Sequence, residues 1–284
     1  MRILVLGSQG MLGQAVAKVL TDAGMEVAGT QFVDRSASNY LDAAAGRASW
    51  DSLFAAARCE YAVNCIGILS AAIRESDAAS MERAIRVNSL FPYELAAAAA
   101  ERGARVIQIS TDAVFSGREE PYVETDPPDP ADHYGRTKLL GECPAGNFLN
   151  IRCSIVGRDA VGHKGILEWY LSRPEASEID GYEDRRWNGV TTVQFAGLCA
   201  RVIAGGAFDR LRAISHVHHF CPNPVTTKYG LLRAWQEVTG RRTRVRPASS
   251  PRPGGRVLGT VYNGLGALYP AAGDWRAILS DLRG

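Results

Sequence analysis

The hydrophobic pattern at the N-terminus predicts a strand, a turn, a helix and a second strand. Residues 3–6 form a continuous apolar run, as expected for a strand buried on both faces of a parallel sheet. Over residues 11–20 apolar side chains recur at helical spacing, and Gly24 ends this predicted helix. Residues 26–30 are predicted to form the second strand.

The alternation of strand and helix patterns continues through the first half of the chain. Further strands are predicted over residues 61–65, 106–110 and 148–155, and helices over residues 88–102 and 134–142. Strands that alternate with helices favour parallel pairing, with helices packed on both faces of the sheet. The pattern therefore predicts an α/β fold with a Rossmann-type, doubly wound parallel sheet.

Regular alternation is interrupted between residues 116 and 133. Prolines are concentrated there, at positions 121, 127, 128 and 130. Because proline fixes its backbone angle and lacks an N–H donor, this density excludes a regular helix or a central strand. An ordered loop or a lid is predicted instead.

The pattern also loosens after Gly157, where segments rich in glycine, arginine and aromatic residues replace the alternation. We therefore predict two lobes. Residues 1–157 form the Rossmann domain, with a contribution from residues 190–220, and residues 158–284 are mostly a smaller α/β lobe.

Composition excludes several classes of protein. The chain has 284 residues, 46% of them apolar, and 32 Lys and Arg against 30 Asp and Glu give a net charge of +2. This apolar fraction is enough for a folded core. No apolar run approaches the ~18 residues that a membrane span needs. The small net charge creates no strong field that would attract nucleic acid. The six cysteines include no C-x-x-C pair, which argues against a disulfide framework or a zinc site. We expect a cytoplasmic protein that binds neither membrane nor nucleic acid.

The turn between the first strand and the first helix is rich in glycine, with the spacing G-x-x-G-x-x-G. Glycines here allow a positive φ, close approach of a pyrophosphate to the backbone, and tight packing of helix on strand. The free N–H groups and the positive end of the helix dipole attract phosphate. The predicted dinucleotide-binding residues of this turn are Gly7, Gln9, Gly10, Met11, Leu12 and Gly13.

The residues after the second strand bear on which dinucleotide binds. A carboxylate there would bond the adenosine 2′-hydroxyl and repel a 2′-phosphate, but Thr30 stands in its place. Arg35 follows and can pair with a 2′-phosphate, which favours NADPH over NADH; an exposed arginine without this role is the alternative. Asp42 can contact the adenine amino group or cap a helix.

Two functional groups stand one helical turn apart in the helix predicted over residues 134–142. Tyr134 and Lys138, at positions i and i+4, lie on one face of that helix. A free tyrosine has a pKa of about 10, and a nearby cation lowers this pKa by roughly 1–3 units, which makes the phenol a usable acid or base. The lysine can also reach the ribose hydroxyls of a nicotinamide cofactor.

Hydroxyl and amide side chains stand near two other predicted elements. Ser110 and Thr111 lie at the end of the strand over residues 106–110, at the edge where open α/β sheets bind ligands. A hydroxyl there can polarise a substrate carbonyl, although Thr111 can also simply cap the strand. Asn88 can hold a water or the lysine in a proton relay, and a helix N-cap is the alternative.

Together these motifs resemble the extended short-chain dehydrogenase/reductase family. The stretch Ser-Thr-Asp-Ala-Val-Phe-Ser-Gly over residues 110–117 is similar, more narrowly, to its dTDP-4-dehydrorhamnose reductase branch. So are Pro-Tyr-Val-Glu over residues 121–124 and Tyr-Gly-Arg-Thr-Lys-Leu-Leu-Gly-Glu over residues 134–142. The similarity is specific over residues 1–157 and looser beyond them.

The resemblance implies roles for individual residues. Thr111, Tyr134 and Lys138 would form the catalytic triad, and the last two would also contact the cofactor. The other residues that would line the dinucleotide are Cys65, Ile66, Gly67, Asn88 and Ser110. The residues that would contact the substrate are Ala113, Val114, Phe115, Arg152 and Trp187. The family often has a tyrosine where this chain has Ala113, which leaves the identity of the sugar open.

The function that the resemblance implies is reduction of a nucleotide-activated 4-keto-6-deoxy sugar by NADPH, in the synthesis of a bacterial-type surface polysaccharide. NADH is the alternative cofactor. An epimerase of nucleotide sugars and a non-catalytic, dinucleotide-binding regulatory subunit are the alternative functions. A dehydratase is disfavoured because Ala113 stands where that chemistry needs a glutamate base. The expected partner is a nucleotide sugar, and a homodimer is left open.

Three histidines between residues 216 and 219 raise the question of a metal. His216 and His218 point to one face of a predicted strand, but no carboxylate or cysteine cluster completes a site at suitable spacing. We expect no metal there, and packing or a substrate contact instead.

Overall fold

Strands and helices alternate along the chain. The computed structural model describes residues 1–159, 162, 165–251, 254–270 and 273–283. The strands, in chain order, are β1 (Arg2–Leu6), β2 (Glu26–Gly29), β3 (Tyr61–Asn64), β4 (Arg105–Thr111), β5 (Phe148–Cys153), β6 (Ile155–Val156), β7 (Glu178–Tyr182), β8 (Arg186–Trp187), β9 (Val190–Thr191), β10 (Val217–His219), β11 (Thr226–Thr227) and β12 (Arg244–Ala248). The helices are α1 (Met11–Asp22), α2 (Asp51–Ala57), α3 (Ala78–Ala84), α4 (Phe91–Ala100), α5 (His133–Leu140), α6 (Ile166–Leu171), α7 (Thr192–Ala204), α8 (Phe208–Ile214), α9 (Lys228–Thr239), α10 (Gly264–Leu268) and α11 (Trp275–Ser280).

The centre of the fold is a sheet of six strands in the spatial order β2-β1-β3-β4-β5-β10. All neighbouring pairs in this sheet are parallel. From β1 the chain moves outward to β2 and returns to β3 on the other side of β1, so the strand order reverses between β1 and β3. In an open α/β sheet such a switch point opens a ligand-binding crevice at the carboxyl ends of the strands. The predicted Rossmann-type, doubly wound sheet is confirmed.

Helices cover both faces of this sheet. On one face, α1 and α7 pack on the strands through a buried apolar cluster that includes Val5, Val16 and Leu198. On the other face, Leu4 and Leu95 belong to a second cluster. Consecutive residues of β1 thus face opposite apolar layers, which is why its sequence is apolar without interruption. Complete burial of each such side chain contributes ~1.5–3 kcal/mol to stability.

The helix predicted over residues 88–102 starts much earlier in the structure. The Asp77 carboxylate accepts two backbone N–H groups and caps α3. The helix then passes through a π-helical segment, Ile85–Leu90, and continues as α4. Asn88 therefore lies inside a continuous helix, and the N-cap alternative for it is wrong.

The strand predicted over residues 148–155 is split in two. β5 ends at Cys153, and β6 leaves the main sheet to pair with β9, with Ile155 opposite Val190. β10 takes the edge of the main sheet beside β5. Residues 190–220 therefore supply β10, the sixth strand of the main sheet, and also helices α7 and α8.

The second half of the chain has its own apolar cluster. Helices α9 and α11 pack around Trp235 together with the parallel pair β7–β12. The proline-rich loop is attached to this half of the chain through Tyr122, whose backbone pairs with Leu258. The Tyr122 hydroxyl also accepts hydrogen bonds from the N–H groups of Gly117 and Glu119, both at 3.0 Å. The loop is therefore ordered by its own hydrogen bonds.

Two further features concern membranes and metals. Among the described residues, no helix is both long and apolar enough to span a bilayer. Nor does that part of the chain hold three or more His, Cys, Asp or Glu side chains arranged for a metal ion. In the histidine segment, the His218 Nε2 lies 3.0 Å from the Leu211 carbonyl and its ring packs on Tyr262.

Candidate active site

The glycine-rich turn after β1 is held in shape by hydrogen bonds. Gly7 has a φ of +76°, a conformation that favours glycine. Its N–H donates to the Thr30 hydroxyl at 3.0 Å, and its carbonyl accepts from the Gly10 N–H at 3.1 Å. Gln9 and Gly10 are exposed at the tip of the turn, whereas the Leu12 side chain is buried in the core. Backbone N–H groups are therefore left to face a ligand at the start of α1.

Close contacts bring the first predicted cofactor loop against the second. A Cβ atom on Gly13 would collide with the Gly7 carbonyl, so only glycine lets α1 approach the turn this closely. A Cβ atom on Gly7 would stand 3.0 Å from the Cγ1 of Ile66, in the loop that follows β3. That loop also holds Cys65 and Gly67. Both loops therefore meet at the switch point between β1 and β3.

We expect Gly13→Ala to weaken NADPH binding by roughly ten- to a hundredfold, because overpacking costs ~1–3 kcal/mol and displaces the Gly7 carbonyl from the turn. Gly146→Ala is the matched control, since a Cβ atom there meets no atom within 4 Å. Titration of NADPH fluorescence measures both affinities. Equal affinities for the two variants would contradict this role of Gly13.

Thr30 lies beneath the glycine-rich turn, where its side chain is buried. Its side chain is 1% exposed, and its carbonyl accepts a hydrogen bond from the Ser8 N–H at 2.9 Å. The hydroxyl is occupied by Gly7, so the expected ribose contact is replaced by support of the glycine turn. Arg35, in contrast, is exposed on the loop after β2.

Asp42 is held by a turn and by an arginine. Its Oδ1 accepts a hydrogen bond from the Ala44 N–H at 2.9 Å and lies 3.3 Å from the Arg83 guanidinium. The same guanidinium stacks over the ring of Phe32, at 5.0 Å from its centroid. The contact of Asp42 with adenine stays a prediction.

The predicted catalytic tyrosine and lysine lie on α5, which is anchored at its first turn. Asp132 caps this helix by accepting the Gly135 N–H at 2.7 Å. Gly135 lets α5 approach the loop after β4, because a Cβ atom there would collide with the Ala113 carbonyl. Lys138 Nζ donates to the Ile109 carbonyl at 2.8 Å. These contacts place α5 against the carboxyl end of β4.

The Tyr134 phenol lies beside the hydroxyl of Thr111. Burial raises the pKa of Tyr134 to about 12, and the interaction with Thr111 opposes this shift only in part. Burial also lowers the pKa of Lys138 to about 8, although the charge of Glu142 raises it. The expected lowering of the tyrosine pKa is therefore wrong. The phenol keeps its proton at neutral pH, which suits an acid.

Ser110 and Arg152 face a buried polar network and not the cleft. The Ser110 hydroxyl donates to Glu142 at 2.6 Å, and Arg152 donates two hydrogen bonds to the same carboxylate, both at 2.8 Å. The side chains of Arg152 and Glu142 are each 5% exposed. Arg152 also lies 3.4 Å from the Nε2 of His219. Contrary to expectation, neither side chain is directed at a dinucleotide or a substrate.

Asn88 joins the loop after β3 to α5. Its side-chain N–H donates to the Ile68 carbonyl at 2.9 Å and to the Thr137 hydroxyl at 3.1 Å, while its Oδ1 accepts the Ile68 N–H at 2.8 Å. The π-helical segment directs this side chain inward, where it is 1% exposed. Such segments are frequent at functional sites. Asn88 therefore orders the predicted cofactor loop, and its hydrogen bonds do not include Lys138.

The predicted substrate residues are mostly packed against other side chains. Val114 and Phe115 are completely buried, and the Phe115 ring stacks on Tyr122 at 4.3 Å. Trp187 packs on Trp275, with ring centroids 4.9 Å apart. These side chains are thus used in packing. Ala113 lies next to α5 and is also buried.

Comparison with known proteins fits this geometry. The family model of the RmlD substrate binding domain matches residues 1–256. The chain belongs to this family. A dTDP-4-dehydrorhamnose reductase of Burkholderia thailandensis is 33% identical, and the alignment covers 97% of this chain and 96% of that protein.

The RmlD family likeness extends beyond reductases. Methionine adenosyltransferase 2 subunit beta of Danio rerio is 33% identical, over 82% of this chain and 72% of that protein. Among solved structures, the dTDP-4-dehydrorhamnose reductase of Bacillus anthracis in complex with NADP has a TM-score of 0.76 at 17% identity, covering 99% of this chain and 98% of that one. At this identity the similarity shows the fold.

Sequence reasoning assigned no role to three acidic side chains that make hydrogen bonds or charge interactions near these elements. Glu142 lies one helical turn after Lys138, a spacing that could have signalled their interaction. Asp112 directly follows Thr111 and accepts its hydroxyl at 3.1 Å. Glu124 accepts the His219 N–H at 2.9 Å across a long sequence separation, which no local pattern signals.

Proposed function

We propose that this protein is an NADPH-dependent reductase of a nucleotide-activated 4-keto-6-deoxy sugar, with dTDP-4-dehydrorhamnose as the first substrate to test. The observation that carries the proposal is the arrangement at the carboxyl end of β4, where the Tyr134 phenol lies beside Thr111 and Lys138 of the same helix donates to the Ile109 carbonyl at 2.8 Å. The RmlD family model and the name of the Burkholderia relative support the same class of reaction.

Reduction of a ketone requires a hydride and a proton. NADPH, when bound, supplies the hydride. Tyr134 donates its phenolic proton to the carbonyl oxygen as negative charge develops there. Lys138 is a cation below about pH 8 and stabilises that charge, while Thr111 holds the phenol in position.

The turn after β1 fits the pyrophosphate of a dinucleotide. A Cβ atom at Gly13 would close the approach between α1 and the turn, and Gly7 needs its positive φ. The N–H groups at the start of α1 lie at the positive end of the helix dipole. Gly10 and Met11 would therefore hold the phosphates, with Ile66 across the crevice.

The names of the relatives also favour reduction over the alternatives, because several of them are called dTDP-4-dehydrorhamnose reductases. The relative from Danio rerio is named as a subunit of a different enzyme, a methionine adenosyltransferase. A purely regulatory subunit does not require the arrangement of Thr111, Tyr134 and Lys138 at one end of the sheet.

Arg35 is proposed to select NADPH by pairing with its 2′-phosphate. Arg35→Ala should raise the KM for NADPH about tenfold and leave the KM for NADH nearly unchanged, because one exposed, charge-assisted hydrogen bond is lost. Arg233→Ala, an exposed arginine on α9, is the control. If both cofactors are affected equally, the 2′-phosphate is bound elsewhere.

We further propose that residues 1–157 with residues 190–220 bind the dinucleotide and that the rest of the chain binds most of the nucleotide sugar. Hydrogen bonds join the proline-rich loop to residues 254–259, so the first half of the chain contacts the second half near Phe115. Because the proposed reaction consumes NADPH and a nucleotide sugar, we propose that the protein works in the cytoplasm.

The test of the proposed function is consumption of NADPH by the purified protein with dTDP-4-dehydrorhamnose. We expect stoichiometric loss of the reduced-nicotinamide absorbance and formation of the deoxyhexose product. A panel of dTDP-, UDP- and GDP-linked 4-keto-6-deoxy sugars identifies the preferred nucleotide. Failure to turn over any of them would refute the proposal, and interconversion of sugars without net NADPH loss would indicate an epimerase.

A further inference from the structure

The histidine segment at the edge of the main sheet contains a buried side chain that the proposed function does not use. His219 is the last residue of β10 and is 2% exposed. Its Nδ1 lies 2.8 Å from the Gly259 carbonyl oxygen, and its Nε2 lies 3.4 Å from the Arg152 guanidinium. The ring also packs edge-on against Phe115, with centroids 5.7 Å apart. Each ring nitrogen therefore faces a polar group of a different segment.

These two contacts determine which nitrogen of His219 carries the proton. A carbonyl oxygen only accepts hydrogen bonds, so Nδ1 must carry a hydrogen to bond Gly259. A guanidinium only donates and is always charged, so Nε2 can accept from Arg152 only as a bare nitrogen. The geometry therefore fits the neutral Nδ1–H tautomer. A second proton, on Nε2, would face the positive charge of Arg152 at close range.

The backbone of His219 lies where β10, the proline-rich loop and the second half of the chain meet. Its N–H donates to the Oε1 of Glu124, in the proline-rich loop, at 2.9 Å. The same carboxylate accepts the Thr260 hydroxyl at 2.6 Å and the Val261 N–H at 2.9 Å. Together with the ring contact to Gly259, these hydrogen bonds join this part of the second half to the carboxyl end of β10.

We propose that His219 is an acid-sensitive link between the main sheet and residues 259–261. The neutral ring holds the two together. Protonation of Nε2 releases the segment, because it replaces a contact between a donor and an acceptor with repulsion between two cations, the imidazolium and Arg152. This inference goes beyond the proposed function, since it concerns how two parts of the chain are held together and requires neither cofactor nor substrate.

The groups around the ring set the direction of its response to pH. Burial is the largest influence and lowers the pKa of His219 below its ordinary value of 6.5. The charges of Glu124 and Glu142 raise this pKa, and the charge of Arg152 on β5 lowers it. Both carboxylates already have donors, because Glu142 accepts two hydrogen bonds from Arg152 and Glu124 accepts three from β10 and residues 260–261. The folded protein therefore takes up this proton less readily than the unfolded chain.

The first test is the protonation state of His219 in the purified wild-type protein, followed by ¹⁵N NMR of its imidazole ring. We expect the neutral Nδ1–H form at neutral pH and a protonation midpoint below the ordinary 6.5. The Nε2–H form, or a midpoint at or above the ordinary value, would overturn the inference. This measurement needs no variant, so it decides the question even where a substituted protein fails to fold.

The second test compares the pH dependence of stability in wild type and His219→Asn. The asparagine amide can still donate to the Gly259 carbonyl but does not titrate. Because the folded-state pKa lies below the unfolded one, unfolding takes up a proton, and wild-type stability falls as pH drops below about 6.5. One such proton changes the unfolding equilibrium constant by up to about tenfold per pH unit. From about pH 6.5 to about pH 5.5 this constant should rise roughly three- to tenfold more in wild type than in the variant.

His133→Asn is the matched control for the lost titration. The His133 side chain is 33% exposed on α5 and lies 3.4 Å from the Glu75 carboxylate, which is itself 80% exposed. Its replacement should therefore leave the decline of stability at low pH in place. Parallel profiles for wild type and His219→Asn, or equal flattening in both variants, would count against the link.

Hydrogen exchange tests the release itself. The Gly259 N–H donates to a carbonyl of the proline-rich loop at 2.7 Å, and the Val261 N–H donates to Glu124. Between about pH 7 and about pH 5, the wild-type protection of both amides, corrected for intrinsic exchange, should fall roughly tenfold, while Val106 in β4 keeps its protection. In His219→Asn this fall should be absent.

Unchanged protection of these amides in wild type would overturn the inference, as would an equal fall in β4. None of the three measurements involves turnover. Absent turnover together with the expected tautomer and exchange therefore refutes the proposed function alone, and turnover with the wrong tautomer refutes the acid-sensitive link alone.

Discussion

Tyr134→Phe is expected to lower kcat about a hundred- to ten-thousandfold, which is the usual contribution of a positioned general acid. The substitution removes only the hydroxyl, which lies beside Thr111, and leaves the half-buried ring in place. NADPH should still bind, because the glycine turn, Asn88 and Arg35 are untouched. Stopped-flow or steady-state assays with dTDP-4-dehydrorhamnose measure the rate, and NADPH fluorescence measures binding.

Tyr93→Phe is the matched control for this loss. Tyr93 is 45% exposed on α4, where its hydroxyl belongs to no part of the predicted site. The same chemical change there should leave kcat within about twofold, since surface substitutions have small effects. If Tyr134→Phe keeps more than about a tenth of the wild-type rate, Tyr134 is not the general acid proposed above.

Arg152→Met is expected to destabilise the protein by ~3–5 kcal/mol, because it leaves the Glu142 carboxylate buried without its ionic partner. The remaining hydrogen bond from Ser110 cannot replace the two bonds from Arg152. The loss should appear as a large fall in the urea midpoint. Activity at low temperature should fall less than stability, because Arg152 does not face the cleft.

Lys18→Met is the control for the ion pair, since Lys18 and Asp22 are joined at 2.8 Å but have side chains 75% and 62% exposed. Solvent screening makes such a pair worth less than about 1 kcal/mol. The double variant Arg152→Met/Glu142→Leu should recover part of the lost stability, because the Glu142 carboxylate is then no longer buried without an ionic partner. A small effect of Arg152→Met, similar to that of Lys18→Met, would show that the network around Glu142 is not structurally important.

The sequence was sufficient to predict the parts of the fold that follow from local pattern. The apolar run at β1 predicts a strand buried on both sides, and its glycine turn predicts the start of α1. The spacing of Tyr134 and Lys138 places them on one helix, which the structure confirms as α5. The family resemblance read from residues 110–117 and 134–142 is confirmed by the match to the RmlD family.

What local pattern did not predict depends on contacts between distant segments. The sequence near Asn88 left an N-cap role open for this residue. In the structure the helix begins ten residues earlier, after Asp77, and no local pattern around Asn88 signals that start. Thr30 turns inward because the turn at Gly7 needs an acceptor, which is visible only once β1 and β2 are paired. Glu142 and Arg152 meet because α5 and β5 lie side by side, so the arginine that could have bound substrate is used within the core.

The pKa of Tyr134 illustrates a second limit. Sequence reasoning considered the charge of Lys138 and expected a lower pKa. In the structure, Lys138 donates to the Ile109 carbonyl, and burial raises the pKa of the phenol to about 12. Desolvation is the largest influence on this pKa, and its size depends on the packing of the whole region around Thr111, which a helical spacing does not reveal.

The most direct test of the central claim is transfer of deuterium from NADPH labelled at C4 of its nicotinamide ring to dTDP-4-dehydrorhamnose. Both stereochemical forms of the label should be tried, and the product examined by mass spectrometry and NMR. We expect one form to deliver a single deuterium to C4 of the sugar in wild type, and we expect Tyr134→Phe to abolish this transfer at comparable NADPH occupancy. A product without deuterium at C4, or full transfer by Tyr134→Phe, would contradict the central claim.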